Sequence, residues 1–141
     1  MKMETHLSLQ NRNLEVTRKI LKFLEETKED AKEAVMQENK FGWTPFSGAV
    51  STGDMENSQA MCKYITDMAS FVDKPDLRDM CPLHLAAKFG HVNIFEYLLE
   101  KKADITKRGP LNKTALDIAI EEEQRRIIQF VIKSEHWKTA F

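Results

Sequence analysis

The chain has 141 residues, 42% of them hydrophobic and 30% charged, and its 21 basic and 22 acidic side chains leave a formal net charge of −1. That length suits one compact domain or a short array with a real core, and the balanced charge argues against nucleic acid or an anionic lipid surface as a partner. No window approaches the roughly 18 uninterrupted apolar residues of a membrane span, Met1–His6 lacks the apolar run of a signal peptide, and the two cysteines, Cys62 and Cys81, match no zinc-site spacing and read as free thiols of a reducing compartment.

The chain is organised by repetition. The first copy is faint: His6-Leu7-Ser8-Leu9, Leu14, Val16 and Ile20-Leu21 repeat the order of His84-Leu85-Ala86-Ala87, Val92, Ile94 and Leu98-Leu99. It is followed by Glu25–Glu33, a run of strong helix formers with Lys22/Glu26 and Glu29/Lys32 at helical spacing. This run is expected to extend a helix as a solvated face, with an acidic docking surface as the alternative. The second copy starts at Thr44-Pro45-Phe46 and reaches Gly53. An insertion of a few residues is expected within Asp54–Gln59, because Met61, Tyr64, Ile65 and Met68 resume a helical period beyond it.

The third copy is the clearest. Pro82 suits a first helical turn, Ala86-Ala87 let a neighbouring helix approach, and Gly90 can end the helix at positive φ. Val92, Ile94, Phe95, Leu98 and Leu99 then form one apolar stripe. A shift of 33 positions carries residues 81–99 onto 114–132 without a gap, matching Leu83 to Leu116, Ala86 to Ala119, Ile94 to Ile127 and Leu98-Leu99 to Val131-Ile132. Two residues ahead of the second, third and fourth copies stand Gly42, Asp79 and Asn112, all tolerant of a left-handed backbone. Each copy therefore reads as a short helix, a tight turn, a longer helix and an extended turn. Neither helix buries its apolar side alone, so stacking must supply the core.

Thr44-Pro45-Phe46, Cys81-Pro82-Leu83-His84-Leu85-Ala86-Ala87 with Gly90-His91, and Leu98-Leu99 with Ala103-Asp104 resemble the ankyrin repeat. Its pattern is Thr-Pro-Leu-His-x-Ala-Ala-x-x-Gly-His, a Leu-Leu pair and Gly-Ala-Asp. The resemblance implies an all-α ankyrin-repeat solenoid of about four helix–turn–helix units joined by extended turns, a single array over 1–141 with units at about 3–36, 44–75, 81–111 and 114–137. The departures are Cys81 in place of the capping threonine, Asp117 in place of the histidine and Glu123 in place of the turn glycine.

The closing stretch Ile127-Ile128-x-Phe130-Val131-Ile132-x-Ser134-x-x-Trp137 is similar to the final ankyrin repeat of transient receptor potential channels of the ankyrin (A) subfamily. That similarity implies the cytosolic repeat segment of a cation channel; the alternative is a free-standing cytosolic adaptor. Both array ends look cut, and further repeats are expected to cover them.

The ankyrin resemblance implies recognition of a protein partner, or of another part of the parent chain, through the turn tips and first helices, with no cofactor and no metal. The tips carry Lys40, Phe41 and Trp43, then Asp76, Leu77, Arg78 and Met80, then Lys107, Arg108, Leu111 and Lys113. Ser47, Ser51, Leu85, Lys88, Phe89 and Ile118 are the first-helix candidates. Phe46, Met61, Tyr64, Met68, Phe95, Tyr97 and Phe130 sit at core spacing. HExxH, GxSxG and P-loop patterns are missing. Cys81 and His84, three residues apart, are the one conceivable nucleophile–base pair; lacking an orienting group, they are expected to be structural. His91 is expected at a turn, and His136 stands alone beside Trp137.

Overall fold

The computed structural model describes residues 37–63 and 72–134, together with Lys19 and Lys22, which are helical and exposed. The rest of the first repeat, the Glu25–Glu33 run, Tyr64, Ile65, Met68, His136, Trp137 and Phe141 lie outside the described residues. The chain falls into two units, Met1–Thr66 and Asp67–Phe141. Among the described residues the regular elements are six α-helices and one 3-10 turn, with no strand.

In the first unit α1 (Pro45–Thr52) and α2 (Met55–Cys62) form a helical hairpin. Thr44 caps α1 by accepting the Ser47 N–H at 3.2 Å, and Pro45 occupies the first turn, where a missing N–H costs nothing. Gly53 ends α1 at φ 79°, and the Asp54 N–H closes the turn on the Ala49 carbonyl at 3.0 Å. Asp54 then caps α2 through the Asn57 N–H. The second helix thus starts immediately after the turn, so the expected insertion within Asp54–Gln59 is not there. Ser58 and Met61 are the buried positions of α2, in register with Phe95 and Leu98 of the third repeat, and the extra residues follow Lys63. Ser58 hid this register. It is a polar residue in an apolar slot, satisfied by donating its hydroxyl to the Asp54 carbonyl at 2.7 Å.

The second unit holds two hairpins, α3 (Pro82–Phe89) with α4 (Val92–Glu100) and α5 (Ala115–Glu121) with α6 (Arg125–Lys133). α3 packs on α5 and α4 on α6. The seam is closed by Leu83, Leu85, Ala86 and Ala87 with Ile94, Phe95 and Leu98 from one repeat, and by Leu116, Ile118, Ala119, Ile127 and Val131 from the next, all buried. Phe95 meets Phe130 edge-on, with ring centroids 6.1 Å apart at 84°, a geometry worth about 1 kcal/mol beyond the area it buries.

The turn between the helices recurs. His91 N–H bonds to the Ala86 carbonyl at 3.0 Å and Gln124 N–H to the Ala119 carbonyl at 2.8 Å. Gly90 takes φ 75°, and Glu123 takes φ 56° in its place. A fourth-repeat side chain also reaches back: Gln124 Nε2 donates to the Lys88 carbonyl at 2.8 Å, satisfying one of the open carbonyls at the end of α3. It lies where a Cβ on Gly90 would be, 2.4 Å from its Oε1, so a larger residue at 90 would be strained by its φ and would have to push the Gln124 amide aside.

Candidate protein-recognition surface

Three extended turns, or fingers, precede α1, α3 and α5. In the first, Asn39 N–H bonds to the Trp43 carbonyl at 2.8 Å, and its side-chain Oδ1 accepts the N–H groups of Phe41 and Trp43 at 2.8 and 3.0 Å. In the second, Asp76 makes the same set: N–H to the Met80 carbonyl at 3.0 Å, with Oδ1 accepting from Arg78 and Met80 at 2.8 and 3.0 Å. Asn and Asp are favoured here because their short polar side chains reach their own backbone two residues on. Gly42 and Asp79 complete these fingers at φ 77° and 64°.

The third finger keeps the backbone bond, Gly109 N–H to the Lys113 carbonyl at 2.8 Å, but has no side chain at that place. A Cβ on Gly109 would sit 2.7 Å from the His84 ring and 2.8 Å from the Asp79 carbonyl oxygen. The second and third fingers therefore touch, and glycine is what lets them. Pro110–Asn112 form the 3-10 turn, with Leu111 and Asn112 both left-handed at φ 55° and 61°. Arg108 Nη1 ties the turn down by donating to the Asn112 carbonyl at 2.9 Å.

His84 joins a helix start to a finger. Its Nδ1 accepts the Cys81 N–H at 3.1 Å, so Nε2 carries the proton and donates to the Lys107 carbonyl at 3.0 Å. Burial holds it below its ordinary pKa of 6.5, as a neutral imidazole with these two partners requires. The Cys81 thiol donates to the Asp73 carbonyl, and burial pushes it up to about 12. Cys81 and His84 are both engaged with backbone groups, so they do not form a nucleophile and base. Among the described residues no group of three His, Cys, Asp or Glu side chains is placed to hold a metal ion, and no helix is long and apolar enough to cross a membrane.

The expected recognition residues separate into two sets. Lys40, Phe41, Arg78, Arg108 and Leu111 are exposed, and Trp43, Lys107 and Lys113 are half-buried. Lys40 Nζ lies 5.1 Å from the Phe41 ring centre, and Lys113 pairs with Glu121. Asp76 and Met80, by contrast, are turned inward, 8% and 7% exposed. The Asp76 carboxylate is committed to its own finger and to Arg78, 3.2 Å away. The first-helix candidates Ser47, Ser51, Leu85 and Ile118 are buried as well; only Lys88 and Phe89 reach the surface, half-buried. An eight-residue first helix is covered by its own partner helix and, for α3, also by α5. The serines tolerate burial through local bonds, Ser47 to the Thr44 hydroxyl and Ser51 to the Gly48 carbonyl.

Two positions were invisible to sequence reasoning. Gln124 is one; only the 33-residue register, which sets it opposite His91, hints at its place. Asp73 is the other, accepting the Asp104 N–H at 3.0 Å through Oδ1 across 31 positions of sequence.

A model of the family "Ankyrin repeats (3 copies)" matches residues 5–109 and 69–140. This chain belongs to the ankyrin-repeat family. The array is accordingly a protein-interaction module. It is also 28% identical, over 100 residues, to the Transient receptor potential cation channel subfamily A member 1 homolog of Caenorhabditis elegans. The aligned stretch is 71% of this chain and 8% of that protein, so the ankyrin array spans a small part of its relative's length.

Proposed function

We propose that this chain is part of the cytosolic ankyrin stack of a TRPA-type cation channel, where it binds other parts of the channel or a protein partner through its fingers. The observation that carries this reading is the 28% identity over 100 residues to a channel of that subfamily. The closing-repeat motif around Ile127-Ile128 and Phe130-Val131-Ile132 supports it.

The end of the array adds support for further repeats. Ala87 is sealed by the repeat that follows it, whereas its counterpart Ile120 is 48% exposed and Ile132 is 56% exposed. An apolar face in stacking register is what a solenoid offers to its next unit. Recognition is assigned to Lys40, Phe41, Trp43, Arg78, Lys107, Arg108, Leu111 and Lys113, the surface members of the fingers.

Sequencing of full-length transcripts tests the channel assignment. Six membrane-spanning segments encoded downstream in the same reading frame are expected. A stop codon directly after Phe141 would overturn it in favour of a free-standing adaptor.

A further inference from the structure

We infer that Leu77 and Leu111, at the tips of touching fingers, form a two-point apolar anchor flanked by Arg78 and Arg108 for an acidic, amphipathic protein segment. This rests on the reading that the fingers are the recognition edge, and it names the chemistry of what they hold.

Leu77 is 77% and Leu111 86% exposed, more than any other large hydrophobic residue among those described. A single exposed leucine needs no explanation. Leu111 differs because exposure coincides with strain: its backbone sits at φ 55°, ψ 28°, a region that is costly for a leucine, which lacks the local hydrogen bonds that let Asn or Asp visit it. Nothing packs against the side chain in return. The strain is imposed from below by Pro110, by the Gly109 bond to the Lys113 carbonyl and by the Arg108 bond to the Asn112 carbonyl. A strained residue held by its surroundings in an otherwise unrewarded position points to use.

The neighbouring finger supplies the second point. Contact between Gly109 and the Asp79 carbonyl sets the two fingers side by side, so Leu77 and Leu111 belong to one edge. Each has a guanidinium next to it. Arg78 is held against Asp76 with its side chain 51% exposed, and Arg108 is exposed while bonded to its own turn. Lys107 adds a third cation, and the exposed acids nearby are Asp79 and Asp104. Apolar tips framed by fixed guanidinium groups fit a chain whose apolar side chains alternate with carboxylates. Because both fingers are braced by their own hydrogen bonds, little ordering is lost on binding.

The full chain would be titrated with a fluorescein-labelled synthetic peptide of leucine and phenylalanine interleaved with glutamate. The same peptide with lysine for glutamate, and vesicles of phosphatidylcholine with and without phosphatidylserine, would be run beside it. Saturable binding of the glutamate peptide alone is expected, weakened about tenfold or more by L111G, L77S or R108A. Glycine is at ease at φ 55°, so L111G should keep or raise the urea midpoint, which separates lost binding from lost folding. No binding of the glutamate peptide, equal binding of the lysine peptide, or binding untouched by L111G and L77S would overturn the anchor. Preference for phosphatidylserine vesicles would overturn it in favour of a lipid surface. Any of these failures beside a transcript that encodes the membrane spans would leave the channel assignment standing.

Discussion

At the start of α3 the first orphan N–H is met by an imidazole; at the start of α5 it is met by a carboxylate. Cys81 N–H donates to His84 Nδ1 in one repeat, and Thr114 N–H donates to Asp117 Oδ2 in the next, both near 3 Å. Thr114 also caps Asp117 in return, completing a reciprocal box that Cys81 does not match with a hydroxyl. The turn glycine of the third repeat becomes Glu123 in the fourth with no change in the backbone bond that closes the turn. The half-buried His91 becomes Gln124, which bonds to the previous repeat. The family's shape is therefore set by the backbone bonds and the small residues at the seam, while the polar groups that support them can be exchanged. What cannot be exchanged freely is a group with two duties. His84 is one, since it also holds the third finger through Lys107, whereas Asp117 serves its own helix.

The largest expected contrast lies in the second helices. Phe95 is fully buried against Phe130, and its counterpart Ile128 is half-buried. Phe95→Ala should cost about 3–5 kcal/mol by urea denaturation, and Ile128→Ala about 1–2 kcal/mol, because a half-open site leaves little cavity. Equal losses would mean that the fourth repeat is as tightly enclosed as the third. Next comes the turn. Gly90→Ala places a methyl group at positive φ and drives Gln124 off the Lys88 carbonyl, for a loss of about 2–3 kcal/mol. In Gln124→Ala the notch is empty, so adding Gly90→Ala should then cost only about 1 kcal/mol, the strain alone. A double-mutant cycle without that coupling would remove Gln124 from the account.

The histidine cap should also respond to pH. Burial lowers the folded-state pKa of His84 below its unfolded value of 6.5. Between those two values the unfolded chain binds the extra proton, so stability is complete above pH 6.5 and falls as pH drops toward the folded value. His84→Gln should flatten the stability profile in that window. A histidine effect of the opposite sign, with stability rising on acidification, would contradict the neutral tautomer assigned here.

Much of the architecture was readable because it depends on residue size and backbone freedom. The alanines at 49, 86 and 119 receive the closing turn bond, Gly53 and Gly90 leave each first helix, and Gly42, Asp79 and Asn112 all adopt the left-handed conformation expected of them. The finger surface was less readable, since alternation along an extended turn does not say which side chain faces inward. Asp76 and Met80 turn in because the aspartate folds back to accept the N–H groups of Arg78 and Met80, and the finger so closed leaves Leu77 and Arg78 outside. Ser58 misled by being polar where the register needed a buried residue, whereas Glu123 was read correctly as the stand-in for the turn glycine and takes φ 56°.

Glu123 offers the smallest and sharpest test of the comparison. It keeps φ 56° without a glycine's freedom, and the Gln124 N–H bond to Ala119, at 2.8 Å, holds the turn closed around it. If that bond carries the strain, then Glu123→Gly removes the strain and leaves the bond, but it also loosens the unfolded chain. The first term favours the variant by about 1 kcal/mol or slightly more and the second opposes it by roughly 0.4–1 kcal/mol. A small net gain in the urea midpoint is expected, together with an unchanged response of Gly90→Ala in the same background. A clear loss would show that the glutamate side chain itself contributes to the turn, and that the fourth repeat replaced its glycine for a reason beyond tolerance.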